Sequence, residues 1–473
     1  MKNSNLGSFK SPTVVNLELT ELCNVKCKHC YNPWRDESMG VSSFDMIKIK
    51  KIITEIKRSE VFHVILSGGE PFSNFEVLKE SMRLLNENNI TFSCNTNLIL
   101  ANSVNTAILK ELGLEHCLTS IPSIDPKEND EIMQSKGTLN KIIHGIKSCI
   151  KNGIRVSANM VVTKSNLHRV YETGKMMAEL GCTKFFITRA VPPVYSSISK
   201  DNQDVSNELV LSADEVKHSL DEGIRVRDDF GIAIGSLISY PLCFLSDLKK
   251  YSDFVGRGCP SQRGHVVNIN SSGDIHTCVH EEESYGNIWK SSLSEVYNKK
   301  MKKWRDGSMQ YEGCKSCSYL NICQSGCQMT ANAVNGKPAS KDPLYFGEEN
   351  IKEHFDLVTD NKIYDYIHDG GLFFIPKRIR FRDEGSFTSV NARWGNTFKI
   401  SKEISNFLIN KQKSEERFCL KDFGLDRISW LANLYFKDIL DTDKNLGINR
   451  IKIGLSADLS DLPKLNEKSE INT

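Results

Sequence analysis

The chain has 473 residues, 25% of them charged, and 61 Lys and Arg against 59 Asp and Glu leave a formal net charge of +2. That length predicts several domains, and so even a balance announces no overall field toward a nucleic-acid or anionic-membrane partner. The opening MKNSNLGSFKSP has no apolar signal segment, no stretch reaches ~18 consecutive apolar residues, and fifteen cysteines in such a chain point to metal or redox chemistry in the cytoplasm. An alternating strand, Val14 to Leu19, runs into Cys23-Asn-Val-Lys-Cys27-Lys-His29-Cys30, which brings three thiols together at Cys-x3-Cys-x2-Cys spacing. A closed zinc site wants four ligands, whereas three thiolates on a four-iron cluster leave one iron free for a small molecule; a zinc half-site is the competing reading.

Helical spacing follows from Ser43 to Arg58, then an apolar run from Val61 to Leu66 that ends in Ser67-Gly68-Gly69-Glu70-Pro71. The alternation continues with helices at 75–87, 103–112, 139–152 and 167–180 and strands at 90–94, 116–119, 154–162 and 184–188. Six strand-helix repeats predict parallel βαβ units, with reactive loops at the carboxyl ends of the strands. Both the cysteine loop and Gly68-Gly69-Glu70 fall there, where two glycines admit close backbone approach and a carboxylate can accept from an ammonium group. Cys94, Cys117, Cys149 and Cys182 sit in apolar patterns and read as small buried hydrophobes.

This pair of motifs resembles the radical S-adenosylmethionine (radical SAM) family, whose cluster binds SAM and splits it to a 5'-deoxyadenosyl radical. The resemblance implies a partial (β/α)6 TIM-like barrel over residues 1–200, an α/β fold, with a 4Fe-4S cluster on Cys23, Cys27 and Cys30. It further implies SAM contacts from Gly68, Gly69 and Glu70, from His29 beside the adenine, and from Asn97 and Ser123. Leu98 stands where the family often has a glycine, and Asn159 is a candidate interior residue.

Asp201 to Asn207 is polar and reads as a loop, followed by a helix from Ala213 to Phe230 and by Cys243. Cys259 then precedes a predicted hairpin, His265 to Asn270 and Ile275 to Cys278, turned at Ser-Ser-Gly273-Asp. The run Cys314-x2-Cys317-x5-Cys323-x3-Cys327 would suit a zinc ribbon taken alone. With Cys259-x13-Gly273-x4-Cys278 it resembles the SPASM extension of peptide-modifying radical SAM enzymes, here spanning residues 201–350 with its linker. That resemblance implies one or two auxiliary 4Fe-4S clusters. The first would take Cys259, Cys278 and Cys327 with Cys243 as candidate fourth ligand, and the second Cys314, Cys317 and Cys323. The family's seventh, downstream cysteine is missing near Ser340 to Tyr345, which leaves Asp342, an open iron or no second cluster. An amphipathic helix is expected from Leu293 to Trp304. Relatives that make formylglycine keep an aspartate after the second hairpin cysteine; Val279 stands there, leaving His280 and Glu281 as general-base candidates or as solvated loop charge.

From 351 to 454, strands at Gly371 to Pro376, Ile379 to Arg382 and Ser389 to Arg393 precede helices at 402–413 and 426–440. Strands and helices in that order resemble a PqqD-like winged-helix module, which captures a leader peptide as an added strand; a DNA-binding winged helix or a dimerisation cap are the rivals. Residues 455–473 read as a disordered tail. The expected activity is cross-linking of a ribosomally made precursor peptide with net loss of two hydrogens. The leading chemistry is carbon-carbon cyclophane formation, as in XYE-type maturases, from the resemblance of Cys30-Tyr-Asn-Pro-Trp34-Arg35. Partners would be the precursor peptide and an electron donor such as flavodoxin or ferredoxin. Thioether or formylglycine formation, and an iron-sulfur winged-helix regulator, are the alternatives.

Overall fold

The computed structural model describes residues 8–32, 41–192, 208–255, 258–337, 339–353, 361–392 and 396–446. Pro33, Trp34 and Arg35, the 201–207 loop and the 455–473 tail lie outside these described residues. Seven parallel strands form the body of one sheet: β1 (Val14–Glu18), β2 (His63–Ser67), β3 (Thr91–Thr96), β4 (His116–Ser120), β5 (Arg155–Val162), β6 (Lys184–Arg189) and β7 (Ala233–Gly235). Their helices are α1 (Met46–Arg58), α2 (Phe75–Glu87), α3 (Ser103–Glu111), α4 (Pro126–Met133), α5 (Thr138–Lys151), α6 (Val170–Glu179) and α7 (Ala213–Phe230).

Local chemistry accounts for these elements. In α1 the apolar residues Ile49, Ile52, Ile53 and Ile56 recur on one face and are buried, while Asp45 caps the start by accepting from the amides of Ile47 and Lys48. Each buried isoleucine contributes about 1.5–3 kcal/mol. The helix missing from the sequence reading, α4, is short and polar, but Asp125 caps it and Pro126 takes its first position, where a missing amide costs nothing.

Residues alternate between the two faces of the sheet. One face carries Val15, Leu17, Val64, Leu66, Cys94, Cys117, Val156, Ala158 and Phe185, all in the core with the helices, and the four cysteines expected to be apolar are buried there. The register puts Asn16, Glu18, Ser67, Asn159, Thr188 and Asn268 on the other face. This polar face also carries Ile65, Leu118, Val161 and Phe186 among those side chains.

The sheet continues beyond β1 through β8 (Val266–Ile269), β9 (Asp274–His276) and β10 (Gly286–Asn287), giving ten strands in the order β10-β9-β8-β1-β2-β3-β4-β5-β6-β7. Because β8 runs parallel to β1 and β9 turns back antiparallel, the predicted hairpin is an extension of the barrel sheet. The expected helix from Leu293 to Trp304 is instead broken: a turn at Leu293–Glu295, a wide turn at Val296–Lys300 and a tight one at Lys302–Trp304.

In the C-terminal part, two of the three expected strands pair as β12 (Arg380–Asp383) and β13 (Thr388–Asn391), and the third of that antiparallel sheet is β14 (Thr397–Ile400). The expected first strand contributes only β11 (Phe373–Phe374), which pairs with β15 (Asp441–Thr442) in a separate two-stranded sheet. The reason is Phe373, fully buried against Phe418 and Tyr435 in the module's own core. Its helices include α8 (Asn361–His368), α9 (Lys402–Ser414) and α10 (Ile428–Phe436). Arginines of β12 fasten this module to the barrel. Arg382 donates to the carbonyls of Ser11, Pro12 and Glu60 and to Glu384, while Arg380 donates to Asn89 and Phe62. All five carbonyls precede the first residues of β1, β2 or β3, at the end opposite the reactive loops.

Removing Arg382 would leave Glu384, whose side chain is fully buried, without its counter-charge. We expect Arg382→Met to destabilise the protein by about 3–5 kcal/mol, read as a lower urea midpoint, with Lys402→Ala as a surface control that moves it little.

Candidate active site

The cysteine loop and the Gly68-Gly69-Glu70 loop are stitched together by backbone. Leu19 N–H donates to Ser67 (2.8 Å), Gly69 to Thr20 (2.7 Å) and Glu70 to Leu22 (2.7 Å). The approach is so close that a Cβ on Gly68 would lie 2.4 Å from the Thr20 carbonyl oxygen and one on Gly69 2.3 Å from that of Leu22. Gly68 also has φ +135°, a conformation that side chains resist. From the other side, Lys26 and Lys28 amides donate to the carbonyls of Met133 and Ile132 at the end of α4.

Glu70 is fully buried and acts as a strut. Its Oε1 accepts from the Phe72 amide (3.0 Å) and the Thr96 hydroxyl (2.7 Å), and its Oε2 from the Asn97 amide (2.7 Å). Burial raises its carboxyl from the ordinary value, and these donors oppose that. A carboxylate has about four acceptor positions, so three bonds leave one for an ammonium group. Asn97 sends its amide group to Asn24 (2.7 Å), beside Cys23, so it pins the cysteine loop. The adjacent Leu98 adopts φ +57°, the left-handed conformation usually left to glycine, held by its N–H donating to the Thr96 hydroxyl (3.0 Å).

Ser123, expected to contact SAM, lies at the start of the segment leading into α4. It is fully buried, its hydroxyl donates to Glu128 (2.7 Å) and it accepts from the Asp125 amide (3.0 Å). Asn159 is buried on the polar face and accepts from the Thr188 hydroxyl (2.6 Å). His29 is half-buried within the cysteine loop, and the next ring, Tyr31, packs against His280 at 4.7 Å between centroids. That contact joins the first cysteine loop to the turn after Cys278. Glu281 is spent locally, accepting from Thr277 and from the Tyr285 hydroxyl (2.8 Å).

Two further thiol groups appear. Cys259, Cys278 and Cys327 lie together: burial first and the Cys327 thiol second push Cys259 up to about 11, and burial, then both neighbouring thiols, raise Cys278. Cys243 was expected with them but belongs elsewhere. It lines a cavity of about 220 Å³ with Cys314, Cys317 and Cys323, and none of Cys259, Cys278 and Cys327 reaches that cavity. The one-turn helix Leu242–Leu245 is tied to the segment after Tyr345, since Phe346 N–H donates to the Cys243 sulfur (3.3 Å) and Asn350 to its carbonyl (2.7 Å). Asp342 is likewise not free to bind iron: it is buried, paired with Arg189 (2.6 Å), and accepts from the amides of Cys327 and Leu344. Among the described residues no three such side chains converge as a single metal ion requires. Thiols spread around a space suit a cluster of several irons, so the donor set fits iron-sulfur chemistry.

Residues 17–177 match the radical SAM superfamily, and residues 259–318 match SPASM, an iron-sulfur cluster-binding domain. The chain is a radical SAM enzyme with a SPASM extension. Its cofactors are 4Fe-4S clusters and SAM. It is 25% identical to the pre-heme d1 synthase of Dinoroseobacter shibae, over 76% of this chain and 94% of that protein. It is 23% identical to the PqqA peptide cyclase of Bradyrhizobium diazoefficiens, over 72% of this chain and 88% of that one. The structure of Streptococcus suis SuiB bound to its precursor peptide SuiA aligns with a TM-score of 0.55 at 18% identity, over 72% of this chain and 76% of SuiB, a likeness of fold. No described helix of this enzyme is long and apolar enough to cross a membrane.

Sequence reasoning passed over Glu18. It ends β1 on the polar face, 3% exposed, and burial pushes its carboxyl up to about 8 although a bond with Asn268 opposes this. The available signal was a polar pair, Asn16 and Glu18, two apart in an apolar strand.

Two outcomes follow from this geometry. Gly69→Ala should weaken SAM binding at least about tenfold, since moving the loop by its clash with Leu22 costs more than about 1.4 kcal/mol, measured by equilibrium dialysis of reconstituted protein with unchanged circular dichroism. Glu18 is neutral in the fold and ionised when unfolded between pH 4.5 and about 8. Stability is therefore fully present below 4.5 and falls as pH rises through about 8, by up to about 1.4 kcal/mol per pH unit. Glu18→Gln should flatten that slope in urea titrations across the range.

Proposed function

We propose that this enzyme cross-links side chains of a ribosomally made precursor peptide, forming a carbon-carbon bond with net loss of two hydrogens. The observation that carries the reading is the joining of the Cys23–Cys30 loop, stitched to Gly68-Gly69-Glu70, with a SPASM hairpin in one continuous sheet. A relative named PqqA peptide cyclase and the likeness in fold to SuiB support a peptide as the substrate. The cyclase relative favours a ring-closing bond.

When bound, the clusters and SAM would supply a 5'-deoxyadenosyl radical and a one-electron acceptor. Cys23, Cys27 and Cys30 would hold the SAM-binding cluster, and the last acceptor position on Glu70 would orient the SAM ammonium group. Asn97 and the Gly68–Gly69 backbone keep that loop from shifting. The polar face with Asn16, Asn159 and Asn268 would seat the peptide. The three-stranded module would hold the leader, by main-chain pairing at a sheet edge. A flavodoxin or ferredoxin would deliver electrons.

The pre-heme d1 synthase relative favours a second reading, a tetrapyrrole substrate at the same site. Anaerobic assays separate them. Iron-replete enzyme with dithionite should cleave SAM, and Cys27→Ala should not. Short peptides encoded beside the gene should lose the mass of two hydrogens. SAM cleavage that changes tetrapyrroles and leaves every such peptide intact would replace the first reading by the second.

A further inference from the structure

The family's pattern supplies the last ligand of the second auxiliary site from downstream, and this chain has no cysteine there. All fifteen cysteines are among the described residues, so each can be placed. Three lie in the first loop, Cys94, Cys117, Cys149 and Cys182 are buried in the barrel core, and Cys419 belongs to the C-terminal module. Seven remain, and they divide unevenly. The 220 Å³ cavity takes four of them, Cys243, Cys314, Cys317 and Cys323, while Cys259, Cys278 and Cys327 stand outside it.

We propose that Cys243 is the fourth ligand of the second auxiliary cluster, with Cys314, Cys317 and Cys323, leaving the first auxiliary cluster three cysteines. This rests on the iron-sulfur reading of the domain. The cavity is bounded by Tyr345 and Glu348, from the segment where the missing cysteine would lie. Cys243 reaches the same space from the opposite direction in sequence, on the one-turn helix Leu242–Leu245. The Phe346 amide that donates to its sulfur is the kind of bond that stabilises a cluster thiolate. On coordination the Cys243 thiol gives its proton to solvent as the Fe–S bond forms, and no electron moves. Glu348, a carboxylate lining the same cavity, is already engaged by the Ser318 amide (3.1 Å) and hydroxyl.

The test uses the full chain with Cys23, Cys27 and Cys30 replaced by alanine, so that only auxiliary clusters contribute. Reconstituted anaerobically, it should hold about eight irons and give two electron paramagnetic resonance signals on reduction. Adding Cys243→Ala leaves the second site three thiolates, so it should shift or diminish the same signal that Cys314→Ala shifts or diminishes, and spare the signal that responds to Cys278→Ala. Cys243→Ser, which keeps an oxygen ligand and the side-chain volume, should keep the iron but shift that same signal. Glu348→Gln should change neither. The proposal falls if Cys243→Ser leaves both signals unmoved or shifts the one tied to Cys278, or if Glu348→Gln causes that change instead. A parent variant that binds no iron at all would overturn the iron-sulfur reading and the proposal with it.

Discussion

Strand β1 is shared. It pairs with β2 on one side and β8 on the other, both in parallel, and the Asn16 side chain bonds to Asn268 across the second pairing (2.6 Å). The cysteine loop leaves the carboxyl end of β1, so its position is set at once by the barrel and by the strand leading into the auxiliary hairpin. Ladder hydrogen bonds fix such register strongly, because a one-residue slip would turn Asn16 and Glu18 into the apolar core. Relative placement of the cysteine groups thus derives from strand pairing rather than from flexible linkers.

A second level of order lies in the loops themselves. Glu70 gathers donors from Phe72, Thr96 and Asn97, and Asn97 passes the restraint on to Asn24 in the cysteine loop. A buried carboxylate is expensive unless so satisfied, which makes these loops cooperative: disturbing one bond leaves polar groups stranded in several segments. The buried pair of Arg189 and Asp342 repeats the device, since Asp342 also receives the amide of Cys327 and so binds the end of β6 to an auxiliary cysteine.

Elements with their own periodicity were legible in the sequence. Helices α2 and α7 fall at their expected bounds, because each has an apolar stripe and clear ends, Gly231 for α7 among them. The cysteine loop and Gly68-Gly69-Glu70 were legible as motifs because their chemistry is compressed into a few residues. What depends on distant partners was not. Phe373 looked like part of one sheet with the strands that follow it, yet it pairs with β15 over the module's core; Cys243 looked like a companion of Cys259 by proximity in sequence, yet Phe346 and Asn350 hold it elsewhere. Ser123 was expected from the resemblance to contact SAM, and its hydroxyl bonds to Glu128, a residue of the helix that periodicity did not reveal.

The attachment of the C-terminal module sets a length. Arg380 and Arg382 grip carbonyls of residues 11, 12, 60, 62 and 89, at the floor of the barrel, while the cysteine loop opens at its top. Strands of this size stand about 17–20 Å tall, and an extended chain covers at most ~3.3–3.6 Å per residue. A peptide anchored on that module would need a tether of about six residues or more before its first reactive side chain could reach the radical, and distance from the anchor would then act as a ruler for choosing which residues are joined.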